Sequence, residues 1–154
     1  MEMTTGQAIR DFLEHKSLAL VGFSRSGRKF SNTVYRELTQ KGYRVFPINP
    51  AADQVGDVKV FKDFTSLPEP VSAALLIVPR SVTARVVHEA ADAGVTSVWI
   101  QPGAESREAL QACQERNVSV VSGLCILMFA EPAIWYHRVH RGLLRLIRRL
   151  PVTP

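Results

Sequence analysis

The segment from residue 18 to residue 32 has the sequence Leu18-Ala-Leu-Val-Gly-Phe-Ser-Arg-Ser-Gly-Arg-Lys-Phe-Ser-Asn32. Its apolar start, Leu18 to Val21, is typical of a buried strand in a parallel sheet. The residues that follow predict a tight turn into a helix, with a Ser-Asn pair where the helix starts. Such strand-turn-helix units bind phosphate, because the N–H groups and the dipole of a helix N-terminus attract anions.

The turn carries a weak form of a known nucleotide-binding pattern. Gly22, Ser24 and Gly27 have the spacing of G-x-G-x-x-G, with serine in place of the middle glycine. Serine narrows the approach to a pyrophosphate but offers a hydroxyl donor. Arg28 and Lys29 add full positive charges. The turn therefore predicts a phosphate site, and an ordinary strand-to-helix turn is the alternative.

Length and composition indicate one globular domain. The chain has 154 residues, of which 46% are hydrophobic and 21% charged, and this is sufficient for a single core. No apolar run approaches the length of a membrane span, and the polar N-terminus has no signal-peptide pattern. We therefore expect a soluble, cytoplasmic protein.

The positive charge lies at the C-terminal end of the chain. The formal net charge is +5, and residues 133–154 hold five arginines and no acid. Residues 1–132 are therefore neutral, and the global charge does not indicate that the domain binds nucleic acid.

Apolar runs alternate with helical patterns along residues 1–132. The predicted strands are 18–21, 43–48, 73–78, 97–100 and 118–121, with a small extra strand at 58–60. The predicted helices end near residues 15, 40, 93 and 116 and begin at Thr4 or Thr5, Ser31, Ser81, and Glu105 or Ser106. This alternation predicts a doubly wound, Rossmann-like α/β fold with the five main strands in the order 3-2-1-4-5.

Ligands bind such sheets at the carboxyl ends of the strands. The polar or turn-forming residues predicted at those ends are Ser24, Asn49-Pro50, Pro79-Arg80, Gln101-Pro102-Gly103 and Ser122-Gly123. Individually these are ordinary loop residues, but together they predict a groove along one rim of the sheet.

The residues after the second strand distinguish between nucleotides. NAD sites place Asp or Glu there to bind the ribose hydroxyls, and NADP sites usually place a cation there. This chain has Asn49-Pro50 followed by Ala51-Ala52, which supply neither. An adenine nucleotide with a 3′-phosphate on its ribose fits this composition, because a carboxylate would repel the phosphate.

These motifs resemble those of small stand-alone CoA-binding proteins, whose domain is shared with the alpha subunit of succinyl-CoA synthetase. The matching segments are Val21–Ser24, Arg28-Lys29, Ser31-Asn32, Gly42-Tyr-Arg-Val-Phe-Pro-Ile-Asn-Pro50, Ser66–Val71, Val98-Trp-Ile-Gln-Pro-Gly103 and Val121–Cys125. The resemblance covers about residues 5–132. We therefore predict a CoA-binding domain over 1–132 and a separate basic extension over 133–154.

The resemblance implies coenzyme A or an acyl-CoA as the ligand. It implies that the ligand lies against Gly22, Phe23, Ser24, Arg25, Arg28, Lys29, Asn49, Pro50, Val78, Pro79, Arg80 and Gln101. In this assignment the turn after the first strand holds phosphate, Asn49 and Pro50 border the adenosine, and residues 78–80 wall the adenine or the 3′-phosphate. Relatives often carry a cation after Asn-Pro, and here Arg25 or Arg80 is the candidate replacement.

No catalytic set and no metal-ligand spacing is evident in the sequence, which favours a binding module over an enzyme acting alone. The alternatives are an NAD(P)-linked oxidoreductase, an accessory subunit of an acyl-CoA ligase, and a membrane-recruited adaptor with a vestigial groove. We also expect Gly22→Val to block the groove.

The two cysteines, Cys113 and Cys125, are not expected to form a disulfide. Cys125 follows the fifth strand near the predicted rim. One hypothesis is that its thiol forms a mixed disulfide with coenzyme A, and the other is that it packs as a small apolar residue. Cys113 is expected to pack inside a helix.

Residues 133–154 predict a basic amphipathic helix. Its apolar stripe consists of Trp135, Val139, Leu143, Leu146 and Leu150. Three partners fit such a helix: its own domain or a second subunit in a homodimer, an anionic membrane surface, or nucleic acid. Nucleic acid is disfavoured, because no aromatic residues are interleaved with the arginines.

Overall fold

Alternating strands and helices build a layered α/β domain. The structure is a computed structural model that describes residues 5–130. Its helices are α1 (Gly6–Glu14), α2 (Phe30–Gln40), α3 (Arg80–Asp92) and α4 (Arg107–Glu115). The strands of its parallel sheet are β1 (Ser17–Val21), β2 (Arg44–Ile48), β5 (Ala73–Leu76), β6 (Ser97–Ile100) and β7 (Ser119–Ser122). A small antiparallel hairpin joins β3 (Gln54–Val55) to β4 (Val58–Lys59).

The predicted doubly wound class is confirmed, and most helices begin within one or two residues of their predicted starts. Thr5 caps α1 by accepting a hydrogen bond from the Ala8 N–H at 3.1 Å, and Ser106 caps α4. The predicted cap at Ser81 is wrong, because the N-cap of α3 is Pro79, two residues earlier, and the helix begins at Arg80. Proline suits a helix start, since its missing N–H would have no partner inside the helix.

The predicted strand order is wrong. The sheet runs β2-β1-β5-β6-β7, which is 2-1-3-4-5 in the numbering of the five predicted main strands. The predicted order places β2 between two strands, but β2 contains Pro47, which has no N–H for a second ladder. Pro47 accepts a hydrogen bond through its carbonyl from the Phe61 N–H at 2.9 Å, outside the sheet edge. The wholly buried β5 takes the central place instead.

Helices cover both faces of the sheet. On one face, Phe12 of α1 and Leu38 of α2 pack in a cluster that includes Trp99 of β6. On the other face, Val87 of α3 and Ala109 of α4 pack against β5 and β6. The chain therefore leaves β1 toward one face and the adjacent β5 toward the other. The crevice between the carboxyl ends of these two strands is where ligands of such sheets bind.

Each helix between residues 5 and 130 is too short or too polar to cross a membrane. The helix predicted over 133–154, and with it the proposed homodimer, membrane and nucleic-acid contacts, lies outside the described residues.

Candidate functional site

A cleft of about 520 Å³ opens at the carboxyl ends of β2 and β1 and beside the segment after β5, next to α3. This volume lies within the range of small-molecule sites. Its apolar walls come from Val21, Ile48, Phe64, Val78, Val82 and Val86. Its charged groups are Arg25, Lys62, Asp63, Arg85 and Glu89. The cleft therefore offers apolar surface against which a flat ring can pack, together with lysine and arginine side chains that can bind an anion.

The cleft gathers part of the predicted site. The predicted residues that line it are Gly22, Phe23, Ser24, Arg25, Asn49, Pro50 and Val78. The predicted residues that do not line it are Arg28, Lys29, Pro79, Arg80 and Gln101. Most of the lining residues that the sequence analysis missed come from the segment after β4, at 62–64, and from the face of α3 that carries residues 82, 85, 86 and 89; the others are Val21, Ser26 and Ile48.

Gln101 has an internal partner for each end of its amide. It is only 4% exposed. Its Nε2 donates to the Cys125 Sγ at 3.0 Å, and its Oε1 accepts from the Ile126 N–H at 3.3 Å. Gln101 therefore holds the turn after β7 in place, and its amide is not turned toward the cleft.

The first backbone amides of the turn after β1 are occupied within the protein. The N–H groups of Gly22 and Phe23 both donate to the Ile48 carbonyl, at 3.2 and 3.3 Å. The Ser24 N–H donates to the hydroxyl of Ser31 on α2 at 3.0 Å. These bonds fasten the turn to β2 and to α2, so these amides do not face a ligand.

Polar side chains occupy further amides in the same turn. The Ser26 N–H donates to the Ser24 Oγ at 3.2 Å, and the Arg28 N–H donates to the Ser26 Oγ at 3.2 Å. The Lys29 N–H donates to the Asn32 Oδ1 at 3.0 Å. The expectation that the whole turn cradles phosphate is therefore too broad.

Three amides remain for an anion. Within residues 5–130, the N–H groups of Arg25, Phe30 and Ser31 have no hydrogen-bond acceptor. Phe30 and Ser31 form the first turn of α2, where the N–H groups have no partner inside the helix and the dipole favours negative charge. An anion beside Arg25 is thus the best match to the turn.

Asn49 ties the two loops of the cleft together. Its Nδ2 donates to the Phe23 carbonyl at 2.7 Å, and its Oδ1 accepts from the Ala51 N–H at 2.8 Å. The side chain thereby sets the distance between the turn after β1 and the loop after β2. Asn49 acts as a positioning residue for the cleft.

Asn49→Asp is expected to destabilise the fold, because it removes the Nδ2 donor to the Phe23 carbonyl while preserving the shape of the side chain. The aspartate still accepts from Ala51, but its oxygen faces the Phe23 carbonyl without a proton between them. We expect a loss of about 2 kcal/mol in the free energy of unfolding, measured by urea denaturation. Asn117→Asp, at an exposed position after α4, is the control. An Asn49→Asp loss no larger than that of the control would contradict this role for the side chain.

The charged groups of the cleft differ in how firmly they are held. Arg85 pairs with Glu89 on the same helix face at 2.7 Å, whereas Lys62 reaches Asp53 only at 3.9 Å. Arg25 forms no ion pair with any residue between 5 and 130. Lys62 and Arg25 are therefore the cations of the cleft with most freedom to bind an anion.

Asp63 is an acid that the sequence analysis did not place in the cleft. Its Oδ1 accepts from the Thr65 hydroxyl at 2.8 Å and from the Ser66 N–H at 2.9 Å. These hydrogen bonds, that of Thr65 first, hold the pKa of the carboxyl below its usual range. Asp63 is thus an ionised cap of the short 3-10 helix Phe64–Ser66.

The two cysteines are free thiols with different surroundings. Cys113 is buried in α4, and Cys125 is half-buried beside Gln101. Cys125 does not line the cleft. Burial raises the pKa of the Cys113 thiol from 9.0 to about 12.

The raised pKa of Cys113 predicts a loss of stability at alkaline pH. The buried, neutral Cys113 thiol contributes fully to stability below pH 9.0, where the thiol of the unfolded chain is protonated too. This stability is lost as the pH rises toward about 12. Each pH unit in this window costs at most about 1.4 kcal/mol. Urea denaturation of the protein and of Cys113→Ala between pH 8 and 11 measures the difference. The same change in unfolding free energy with pH for the two proteins would contradict this effect of Cys113.

The geometry and the comparisons with known proteins agree on the class. A doubly wound sheet with a cleft at its switch point is an α/β domain of the nucleotide-binding type. The family model described as CoA binding domain matches residues 16–131. The chain therefore belongs to the CoA-binding domain family, which confirms the predicted resemblance.

The chain matches one segment of much longer proteins and nearly the full length of small ones. It is 29% identical over 113 residues to the ADP-forming acetate–CoA ligase II of Archaeoglobus fulgidus, a match that covers 71% of this chain but 17% of the ligase. It is 25% identical over 127 residues to the uncharacterized protein YneT of Bacillus subtilis, covering 82% of this chain and 94% of YneT. A solved structure of a hypothetical protein from Pyrococcus horikoshii matches with a TM-score of 0.75 and 29% identity, covering 94% of this chain and 99% of that one.

Proposed function

We propose that this protein binds coenzyme A or an acyl-CoA, with the ADP portion of the ligand in the cleft between β1, β2 and α3. The observation that carries the proposal is the position of this cleft at the β1–β5 switch point, within the residues that the family model matches. In this proposal the protein is a binding module, and none of its residues is assigned a catalytic step.

The free groups of the cleft support a pyrophosphate at the turn after β1. The Arg25 N–H has no acceptor in the described chain, and the Arg25 side chain has no ion-pair partner there. Charge-assisted hydrogen bonds from such groups are the stronger ones that phosphates form. Val78 and Phe64 supply apolar surface on which an adenine ring would pack.

NAD is the main competitor for the same cleft. An NAD site needs a carboxylate free to accept hydrogen bonds from the ribose. Asp63 lines the cleft, but it follows β4 and caps a 3-10 helix, whereas the carboxylate of an NAD site follows the second strand of the sheet. The loop after β2 carries Asn49 and Pro50 in place of an acid. These features favour coenzyme A over NAD.

Calorimetric titration with coenzyme A, acetyl-CoA, NAD, NADP and ATP tests the proposal. We expect coenzyme A and acetyl-CoA to bind with similar affinity and more tightly than the other three, because the proposal places the ADP portion in the cleft and leaves the acyl end outside it. Tighter binding of NAD, or no binding of either CoA compound, would overturn the proposal.

The similarity to the Archaeoglobus fulgidus ligase favours a second candidate, in which the chain is the CoA-binding part of a larger acyl-CoA ligase assembly. The match spans only 17% of that ligase, so in this candidate the rest of the activity would lie outside the residues described here. Formation of acetyl-CoA from acetate, ATP and coenzyme A by this chain alone would contradict an accessory role.

A further inference from the structure

Lys62 lies beside the loop after β2 because the preceding residue, Phe61, forms backbone hydrogen bonds with the distant residues 47 and 49. The Asn49 N–H donates to the Phe61 carbonyl at 2.9 Å, and the Phe61 N–H donates to the Pro47 carbonyl at 2.9 Å. Phe61 thus extends the edge of β2 as an isolated parallel bridge to Ile48. The next residue, Lys62, lines the cleft together with Asn49.

The Lys62 ammonium is available for an anion in the cleft. Its side chain is 66% exposed, and its ion-pair partner Asp53 lies 3.9 Å away with an exposure of 86%. An exposed pair at this separation holds both side chains weakly. A ligand phosphate in the cleft would offer Lys62 a more highly charged partner than this carboxylate does.

The other cations near the cleft are placed or engaged differently. Arg85 lies on α3, on the opposite side of the cleft from the loop after β2, with the Glu89 carboxylate beside it at 2.7 Å. Arg25 lies on the turn after β1, next to the free amides that suit a pyrophosphate. Arg80 does not line the cleft. Lys62 is therefore the cation on the side of the loop after β2, where Ala51 and Ala52 supply none.

We propose that Lys62 is a specificity-determining residue that recognises a phosphate on the ribose of the bound nucleotide. This inference rests on the proposed function, and it assigns to the segment after β4 the contact that the loop after β2 lacks. Asp53 is the partner from which Lys62 is released when the phosphate binds. The site then distinguishes a 3′-phosphorylated adenosine from one without that phosphate.

Titration of coenzyme A and of dephospho-CoA, which lacks the 3′-phosphate, tests the inference. The unchanged protein should bind coenzyme A about tenfold more tightly than dephospho-CoA. Lys62→Ala should abolish this preference by weakening the binding of coenzyme A while leaving the affinity for dephospho-CoA unchanged. Asp53→Asn should strengthen coenzyme A binding, because it frees the ammonium. Lys59→Ala is the matched control, since Lys59 has the same charge on the same segment but does not line the cleft.

Each other outcome counts against a particular claim. Equal affinity of the unchanged protein for both compounds would overturn the role of Lys62 and leave the proposed function standing. An equal loss for both compounds in Lys62→Ala would overturn it too, because the lysine would then act only through general charge. Failure of both compounds to bind the unchanged protein would overturn the proposed function itself.

Discussion

Gly22→Ala is expected to lower the free energy of unfolding by about 3 kcal/mol or more. Gly22 has a φ of +97°, which strains any residue with a Cβ atom. A Cβ built there would lie 1.9 Å from the Ile77 carbonyl oxygen and 2.7 Å from its carbon. Both atoms are backbone at the exit from β5, so neither moves without parting the two central strands.

Gly94→Ala separates the clash from the backbone strain. Gly94 has a φ of +93°, but a Cβ there would meet no atom within 4 Å. We expect a loss of about 1 kcal/mol from strain alone. Urea denaturation followed by circular dichroism measures both variants. Equal losses at the two glycines would contradict the close approach of Gly22 to β5.

The same geometry changes the expectation for Gly22→Val. The first carbon of the side chain meets the Ile77 backbone rather than a ligand. The valine is therefore expected to act on the fold, and a loss of coenzyme A affinity in that variant would follow from the damaged turn. Ligand affinity measured on Gly22→Val alone thus does not test where the ligand lies.

Trp99→Ala is expected to cost about 3–5 kcal/mol of unfolding free energy. Trp99 is fully buried at the centre of β6. Its ring lies 5.4 Å from that of Phe12 and 5.9 Å from that of Phe129, measured between centroids. Its Nε1 donates to the Leu124 carbonyl at 2.7 Å. One side chain therefore joins α1, the sheet and the turn after β7.

Trp99→Phe is the control for the tryptophan. Phenylalanine retains most of the ring packing and loses the hydrogen bond to Leu124, so we expect a loss of about 1–2 kcal/mol. Unfolding by urea, followed by circular dichroism, compares the two variants. A Trp99→Ala loss below that of Trp99→Phe would show that the ring does not join these three elements.

The sequence was sufficient to predict the fold class, because each of the five main strands and four helices follows from local apolar periodicity and turn residues, whereas the two-residue β3 was not predicted. The strand order was not predicted, although Pro47 carried a usable signal. A proline in the second strand indicates an edge position, and this alone excludes an order in which that strand lies between two others.

The candidate site was predicted in part, for a similar reason. Residues directly after β1 and β2 reach the cleft because parallel strands end at one edge of the sheet. Lys62 and Asp63 were missed because only the pairing of Phe61 with the edge of β2 brings them there. The occupied amides of the turn were missed because serine and asparagine side chains compete with a ligand for them, which spacing does not reveal.

Nuclear magnetic resonance tests the central claim that the ligand lies at the turn after β1. The backbone amides of the isotope-labelled protein are followed as coenzyme A is added. We expect the largest shift changes at Arg25, Phe30 and Ser31, with changes at 62–64 and small changes in α4. Shift changes confined to α4 and β7, or none at millimolar coenzyme A, would contradict the account.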